Sequence, residues 1–208
     1  APPCGHGSMR WAVFGDSLWY ADALSAKAFH GYAGFCRQDY IGADYGLLDC
    51  STGVPLPDYY TALVWSTTMG RGVLGASLIA GAAADDSGAV RVYAHCTATA
   101  AQAGVGAVTV LVINLGQEGA HVSLADPSLG DVTSEYVLAP SADPESSLTG
   151  ATGLMGTGAM LNGELLAIGP DGALPTIAGQ PAGTPVAFVP ATSIAFLVLG
   201  DARHPACI

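Results

Sequence analysis

The chain has 208 residues, half of them hydrophobic and 11% charged, enough for one large or two small domains with a substantial core and too apolar for disorder over most of its length. Six Lys and Arg stand against seventeen Asp and Glu, a net charge of −11. With no basic cluster, this excludes a nucleic-acid partner and counts against tight binding of highly sulphated sugars. Gly and polar residues interrupt every hydrophobic segment, so no run reaches transmembrane length and any membrane association is peripheral.

Residues 1–15, with Pro2, Pro3, Gly5 and Gly7, read as an irregular tail. Residues 16–30 follow as a helix, capped by Asp16 or Ser17, with Leu18, Trp19, Ala21 and Leu24 on its apolar face. Residues 35–41 are short, apolar and aromatic between Gly34 and Gly42, the pattern of a buried strand. A Gly-, Asp- and Ser-rich loop leads to Pro57, which suits a first helical position, with Asp58 in the first turn and Gly70 and Gly72 as the stop. A strand, a loop and a covering helix make a βα unit, which needs a parallel sheet or barrel to close against. Nothing upstream is long enough to supply one, so the expectation is that the chain begins inside a domain whose earlier part is missing.

After Gly72 the pattern changes. Strands are expected at 73–80, Val90–Thr97, 108–115, 122–124, 135–138, Ala159–Leu161, 165–168, Val186–Val189 and Ser193–Leu199, with Asp85-Asp86 in a turn. Turn residues recur every eight to twelve positions, the spacing of a sandwich or barrel. Val90, Val92, Ala94 and Cys96 share one face of their strand and Arg91, Tyr93 and His95 the other, with His95 read as pointing outward.

Several runs resemble family 79 of the glycoside hydrolases, the heparanase and heparanase-like group. They are Cys36-Arg37-Gln38, Ile41-Gly42, Tyr45-Gly46-Leu47-Leu48-Asp49 and Pro57-Asp58-Tyr59-Tyr60. Further on come Arg91-Val92-Tyr93-Ala94-His95-Cys96, Val112-Ile113-Asn114-Leu115, Leu161-Asn162-Gly163 and the ending Ala206-Cys207-Ile208. The likeness is collinear over residues 17–208. It implies a mainly β chain: a C-terminal β-sandwich at 72–208, preceded at 16–71 by the last helix-strand-helix of a truncated (β/α)8 barrel. It implies the C-terminal portion of a secreted or lysosomal endo-β-glucuronidase that acts on glucuronate-containing glycans, on a polysaccharide or proteoglycan. The missing barrel portion of its own protein is a second expected partner. Within the resemblance, Tyr45 holds the glucuronate carboxylate through its phenol, the backbone N–H near Ala43 assists, and Gln38 bonds a neighbouring sugar. Ala43 stands where the family has Gly. Asp44 stands where Asn is frequent, and an anionic side chain there would oppose an anionic sugar. Tyr45 also fits a purely packing aromatic. Cys96 and Cys207 sit at the family's disulfide positions, which implies an oxidising compartment. Cys4, Cys36 and Cys50 read as free, Cys36 as a small buried hydrophobe.

Retaining glycosidases need two carboxylates about 5–5.5 Å apart. The family's acid/base Glu follows an Asn, and no Asn-Glu pair occurs here; Glu118, Glu135, Glu145 and Glu164 all lie in the expected sandwich. No catalytic residue is therefore assigned, and the chain alone is expected to be inactive. A non-catalytic, glycan-associated sandwich module is an alternative. Another is suggested by Gly15-Asp16-Ser17-Leu18, the signature of an esterase whose triad would use Ser17 and His204, with Asp201. That fold requires helices between parallel strands, which residues 73–199 do not offer. No His pair has metal-ligand spacing, and no metal or cofactor is expected.

Overall fold

The computed structural model describes residues 12–43, 45–79, 88–101, 103–148 and 150–208. Cys4, His6, Asp44 and the Asp85-Asp86 turn fall outside them. The fold is mainly β. Helices α1 (Phe14–Phe29) and α2 (Pro57–Thr68) precede ten strands: β1 (Met69–Leu74), β2 (Val90–Thr97), β3 (Val108–Asn114), β4 (Ala120–Ser123), β5 (Val132–Pro140), β6 (Ala159–Leu161), β7 (Glu164–Leu165), β8 (Gln180–Thr184), β9 (Val186–Val189) and β10 (Ser193–Leu199).

One eight-stranded sheet runs β1-β2-β3-β10-β5-β6-β7, with β8 also paired to β5. Strands β4 and β9 form a separate two-stranded ribbon. Every described strand pairing is antiparallel. Strand β10 lies at the centre, with Phe196 opposite Leu111 of β3 on one side and Tyr136 of β5 on the other. All seven of its residues are buried. This explains its unbroken apolar sequence, since a strand covered on both faces has no solvent side on which to place polar residues.

The two faces of the large sheet have different covers. Phe14, Leu18 and Ala21 of α1, with Tyr60 and Val64 of α2, pack on Leu111, Ile113, Tyr136, Leu138, Ile194, Phe196 and Val198. On the opposite face Ala187 and Val189 of β9 and Val122 of β4 meet Val112, Val132, Ala195 and Leu197. The main core thus draws residues from both sides of the expected boundary at 71/72.

Several local expectations are corrected. Residues 35–41 form no strand; they run irregularly from the end of α1 into the next loop. A strand needs a neighbour for its N–H and C=O groups, and here the nearby ties are Leu47 N–H to Asp39 O (3.1 Å) and Leu48 N–H to Tyr40 O (2.9 Å), a folded loop. Helix α1 starts two residues early, with Val13 rather than Asp16 or Ser17 at its N-cap and no side-chain cap bond. Those two side chains are engaged elsewhere. Helix α2 does end just before Gly70, at Thr68 with Met69 as its C-cap, but neither Gly70 nor Gly72 takes a left-handed backbone there; both lie in β1, which continues directly from α2. Their role is close approach. A Cβ at Gly70 would sit 2.5 Å from the Cys96 carbonyl oxygen, and one at Gly72 2.5 Å from Cys96 Sγ. The 73–80 strand is therefore replaced by Met69–Leu74. The 165–168 strand shortens to Glu164–Leu165, and β8 was not anticipated, its Gly, Pro and Gln reading as turn chemistry.

The face of β2 bearing Arg91, Tyr93 and His95 is covered by the helices. Tyr93 Oη donates to Asp22 Oδ1 of α1 (2.8 Å), and Arg91 pairs with the same carboxylate. His95 is 3% exposed rather than outward; its Nδ1 is 2.7 Å from the Gly70 carbonyl and its ring meets Trp65 of α2 edge-on. Burial holds its pKa below the usual value, against the Gly70 contact.

Cys96 and Cys207 are bonded, closing a separation of 111 residues. Cys50 is also disulfide-bonded, which overturns its reading as a free thiol. Cys36 is free and exposed rather than buried, because the segment carrying it is not a core strand. No described helix is long and apolar enough to cross a membrane. Replacing Cys96 with Ser should cost about 2–5 kcal/mol, the usual effect of opening a long loop. The denaturant midpoint measures this, and an unchanged midpoint would show that the C-terminus is held without the bond.

Candidate functional site

The loop from Gln38 to Leu48 lies between the two helices in sequence and folds on itself. Gly46 N–H bonds to Ala43 O (3.2 Å), and Leu56 N–H bonds to Leu47 O (2.9 Å), which ties the loop to the start of α2. Leu48 and Pro55 form an isolated bridge. Beneath it, Asp49 is buried and accepts from Ser51 N (3.1 Å), Ser51 Oγ (2.7 Å), Thr52 N (2.8 Å) and Thr52 Oγ1 (2.7 Å). Burial opposes its charge, but these hydroxyl and amide donors outweigh that and hold the carboxyl below its ordinary range.

Above the loop opens a groove of about 650 Å³, lined by Val13, Gly15, Asp16, Trp19, Arg37, Tyr45, Leu154 and Met155. Tyr45 is the one residue of the expected ligand set among these. Gln38 is exposed and Ala43 half-buried, and neither lines the groove. Three residues that the sequence left without a binding role frame it with Tyr45: Asp16, Trp19 and Arg37. Their signal was indirect. Arg37 stands beside Gln38 in a matched run; Trp19, expected on the apolar face of its helix, is instead half exposed.

The groove has a charged floor. Arg37 Nη2 donates to Asp58 Oδ2 (2.6 Å) and pairs with Asp16 Oδ2. The Ser17 hydroxyl donates to Asp58 Oδ1 (3.1 Å). Two carboxylates thus share one guanidinium away from water. Burial, with the Asp16 charge second and against the pull of Arg37, pushes the Asp58 carboxyl up to about 8. The Arg37 guanidinium also lies over Trp19 (5.1 Å) and Tyr20 (5.4 Å).

These positions rule out the esterase triad. Ser17 is fully buried and committed to Asp58. His204 belongs to the C-terminal turn, where its Nδ1 accepts from Ala206 N (3.3 Å) and its amide bonds to Gly106 O (2.8 Å). None of the four Glu lines the groove: Glu135 is on β5, Glu164 on β7, and Glu118 and Glu145 are in exposed connections. Among the described residues, no three His, Cys, Asp or Glu are grouped to hold a metal ion.

No family model matches the chain. Individual proteins do. It is 43% identical to heparanase-like protein 1 of Arabidopsis thaliana over 51% of its length and 18% of that protein's. It is 33% identical to baicalin-beta-D-glucuronidase of Scutellaria baicalensis over 79% of its length and 28% of that protein's. Mouse heparanase matches at 31% identity over 94% of the chain and 35% of its own length. The chain is thus heparanase-like in sequence, consistent with the C-terminal portion of such a protein, and it spans about a third or less of these relatives. Among solved structures, a family 30 endoxylanase from Clostridium papyrosolvens C71 aligns with a TM-score of 0.46 at 15% identity, over 91% of this chain and 39% of that one. The glucanase-xylanase CelM2 from a metagenome library aligns at 0.47 and 15%, over 90% and 28%.

Asp49→Ala should cost about 1–3 kcal/mol, because it removes the buried carboxylate to which the Ser51 and Thr52 hydroxyls and amides bond. Because the folded Asp49 pKa lies below its ordinary 3.8, its contribution is present above about pH 4 and lost as pH falls through the folded value. Chemical denaturation of wild type and Asp49→Asn from pH 2 to 7 should show the gap between them closing at the acid end. A constant gap would contradict this account.

Proposed function

We propose that the chain is the C-terminal part of a heparanase-like endo-β-glucuronidase that acts on glucuronate-containing glycans, and that this part supplies substrate-binding residues without the catalytic pair. The observation that carries the reading is Tyr45 at the groove beside Trp19 and Arg37. A phenol, an exposed indole and a guanidinium are the groups that hold a sugar: the O–H reaches a carboxylate or hydroxyl, and the ring covers an apolar sugar face. The sequence likeness to heparanases and to a β-glucuronidase supplies the substrate class. Gln38 and the backbone near Ala43 assist from the same loop. Residues 16–71 then correspond to the end of a (β/α)8 barrel and residues 72–208 to a β-sandwich, with the rest of the barrel polypeptide as a partner. The bonded Cys96–Cys207 pair fits a secreted or lysosomal setting.

Two outcomes test this. Calorimetry with a glucuronate-containing tetrasaccharide should show binding that Tyr45→Phe weakens roughly ten- to hundredfold, the loss of one hydrogen bond to a charged group. Equal affinity in the variant would return Tyr45 to a packing role. The chain alone should not turn over a chromogenic β-glucuronide. Turnover abolished by mutating Glu118, Glu135, Glu145 or Glu164 would reveal a catalytic carboxylate outside the groove.

A further inference from the structure

The stretch from Tyr32 to Gln38 carries the proposed ligand residue Gln38 and leads to Tyr45, yet it has no strand pairing. Something other than a backbone ladder must fix it. Phe35 rests against Tyr20 (5.9 Å between centroids) and under Lys27 (5.2 Å) at the rim. The stronger tie is Arg37. Its guanidinium reaches Asp16 on α1 and Asp58 on α2, with side-chain exposures of 10%, 11% and 4% respectively. One side chain therefore locks the segment to both helices, one residue before Gln38 and within the groove that Tyr45 lines.

We propose that Asp16, Arg37 and Asp58 form a positioning clamp that sets the Gln38–Tyr45 loop in its ligand-binding arrangement. For its consequence on ligand binding the clamp rests on the glycan reading of Tyr45; the clamp itself does not. Its charge balance makes it responsive. With Asp58 protonated, Arg37 and Asp16 neutralise each other. With Asp58 ionised, the cluster carries a net buried negative charge, and two carboxylates repel at one nitrogen. The titratable or polar groups facing Asp58 are Asp16, Ser17 and Tyr20 from α1 and Arg37 from the segment; the Asp16 charge and its hydrogen bond both raise Asp58, and Tyr20 is itself raised by burial and by the Asp58 charge. Because Asp58 is pushed up to about 8 from its ordinary 3.8, the clamp is tightest below about pH 4 and loosens as pH rises towards the closed-state value.

The test is quenched-flow hydrogen exchange on the whole chain, comparing wild type with Asp58→Asn at the same pH so that intrinsic rates cancel. The variant keeps the shape of a protonated Asp58 and cannot ionise. At pH 9, above the value to which burial pushes Asp58, its ionised form prevails in wild type. Amides of residues 33–48 should then exchange at least about tenfold faster in wild type than in the variant. At pH 6 the gap should be smaller, and residues 108–114 of β3 should not differ at either pH. Arg37→Met should speed exchange in 33–48 at both pH values. Equal exchange of wild type and Asp58→Asn at pH 9, or a difference shared equally by β3, would overturn the clamp. Tetrasaccharide binding in the same samples separates the two readings. An exchange difference without any binding by wild type sinks the glycan reading and leaves the clamp, whereas binding without an exchange difference sinks the clamp.

Discussion

The structure depends on the burial of β10 from both sides. Its seven residues sit between β3 and β5 in the sheet, between the helices on one face and the β4–β9 ribbon on the other. Fully burying an aliphatic or aromatic side chain is worth about 1.5–3 kcal/mol, so this strand and its neighbours carry much of the driving force. The helices belong to the same core. Without α1 and α2, Leu111, Ile113, Ile194 and Phe196 would form an apolar sheet face open to water, a surface that promotes association. Conversely, helices of 16 and 12 residues are marginal alone and gain their stability from that face.

The same docking creates the groove. Once α1 and α2 lie side by side on the sheet, Asp16 and Asp58 are brought together where two carboxylates are costly to hold. Arg37 offsets that cost, and it lines the groove together with Tyr45 of the following loop. Packing and recognition are therefore linked through one guanidinium. Buried ion clusters of this kind add little net stability over apolar packing; their value here is placement.

What could be read from the sequence follows the strength of local signals. Strands β2, β3, β9 and β10 are legible because their apolar runs are long or strictly alternating and are bounded by turn residues. Pro57 marks the start of α2 for a local reason, and the Cys96–Cys207 bond follows from the family resemblance. The failures are non-local. Residues 35–41 have strand composition, but a strand exists only with a neighbour. His95 alternates onto a face that composition marks as polar, and only the docked helices reveal that face as interior. Gly70 does follow the end of α2, but what requires glycine at 70 and 72 is Cys96 on the adjacent strand, which the local sequence does not show. Of the residues lining the groove, Tyr45 is the one that the resemblance singled out. Asp16, Trp19 and Arg37 were not singled out, because their convergence is a product of tertiary packing between elements 21 residues apart in sequence.

The central claim is that a glucuronate-containing glycan is bound at the Tyr45 groove. Chemical-shift mapping of the labelled chain during titration with a glucuronate-containing tetrasaccharide tests it most directly. The account predicts saturable shifts confined to the Trp19 indole, Tyr45 and the 38–48 amides. Shifts centred instead on the polar cleft at Asn162, Glu164, Thr176 and Gln180, or none at millimolar ligand, would contradict it.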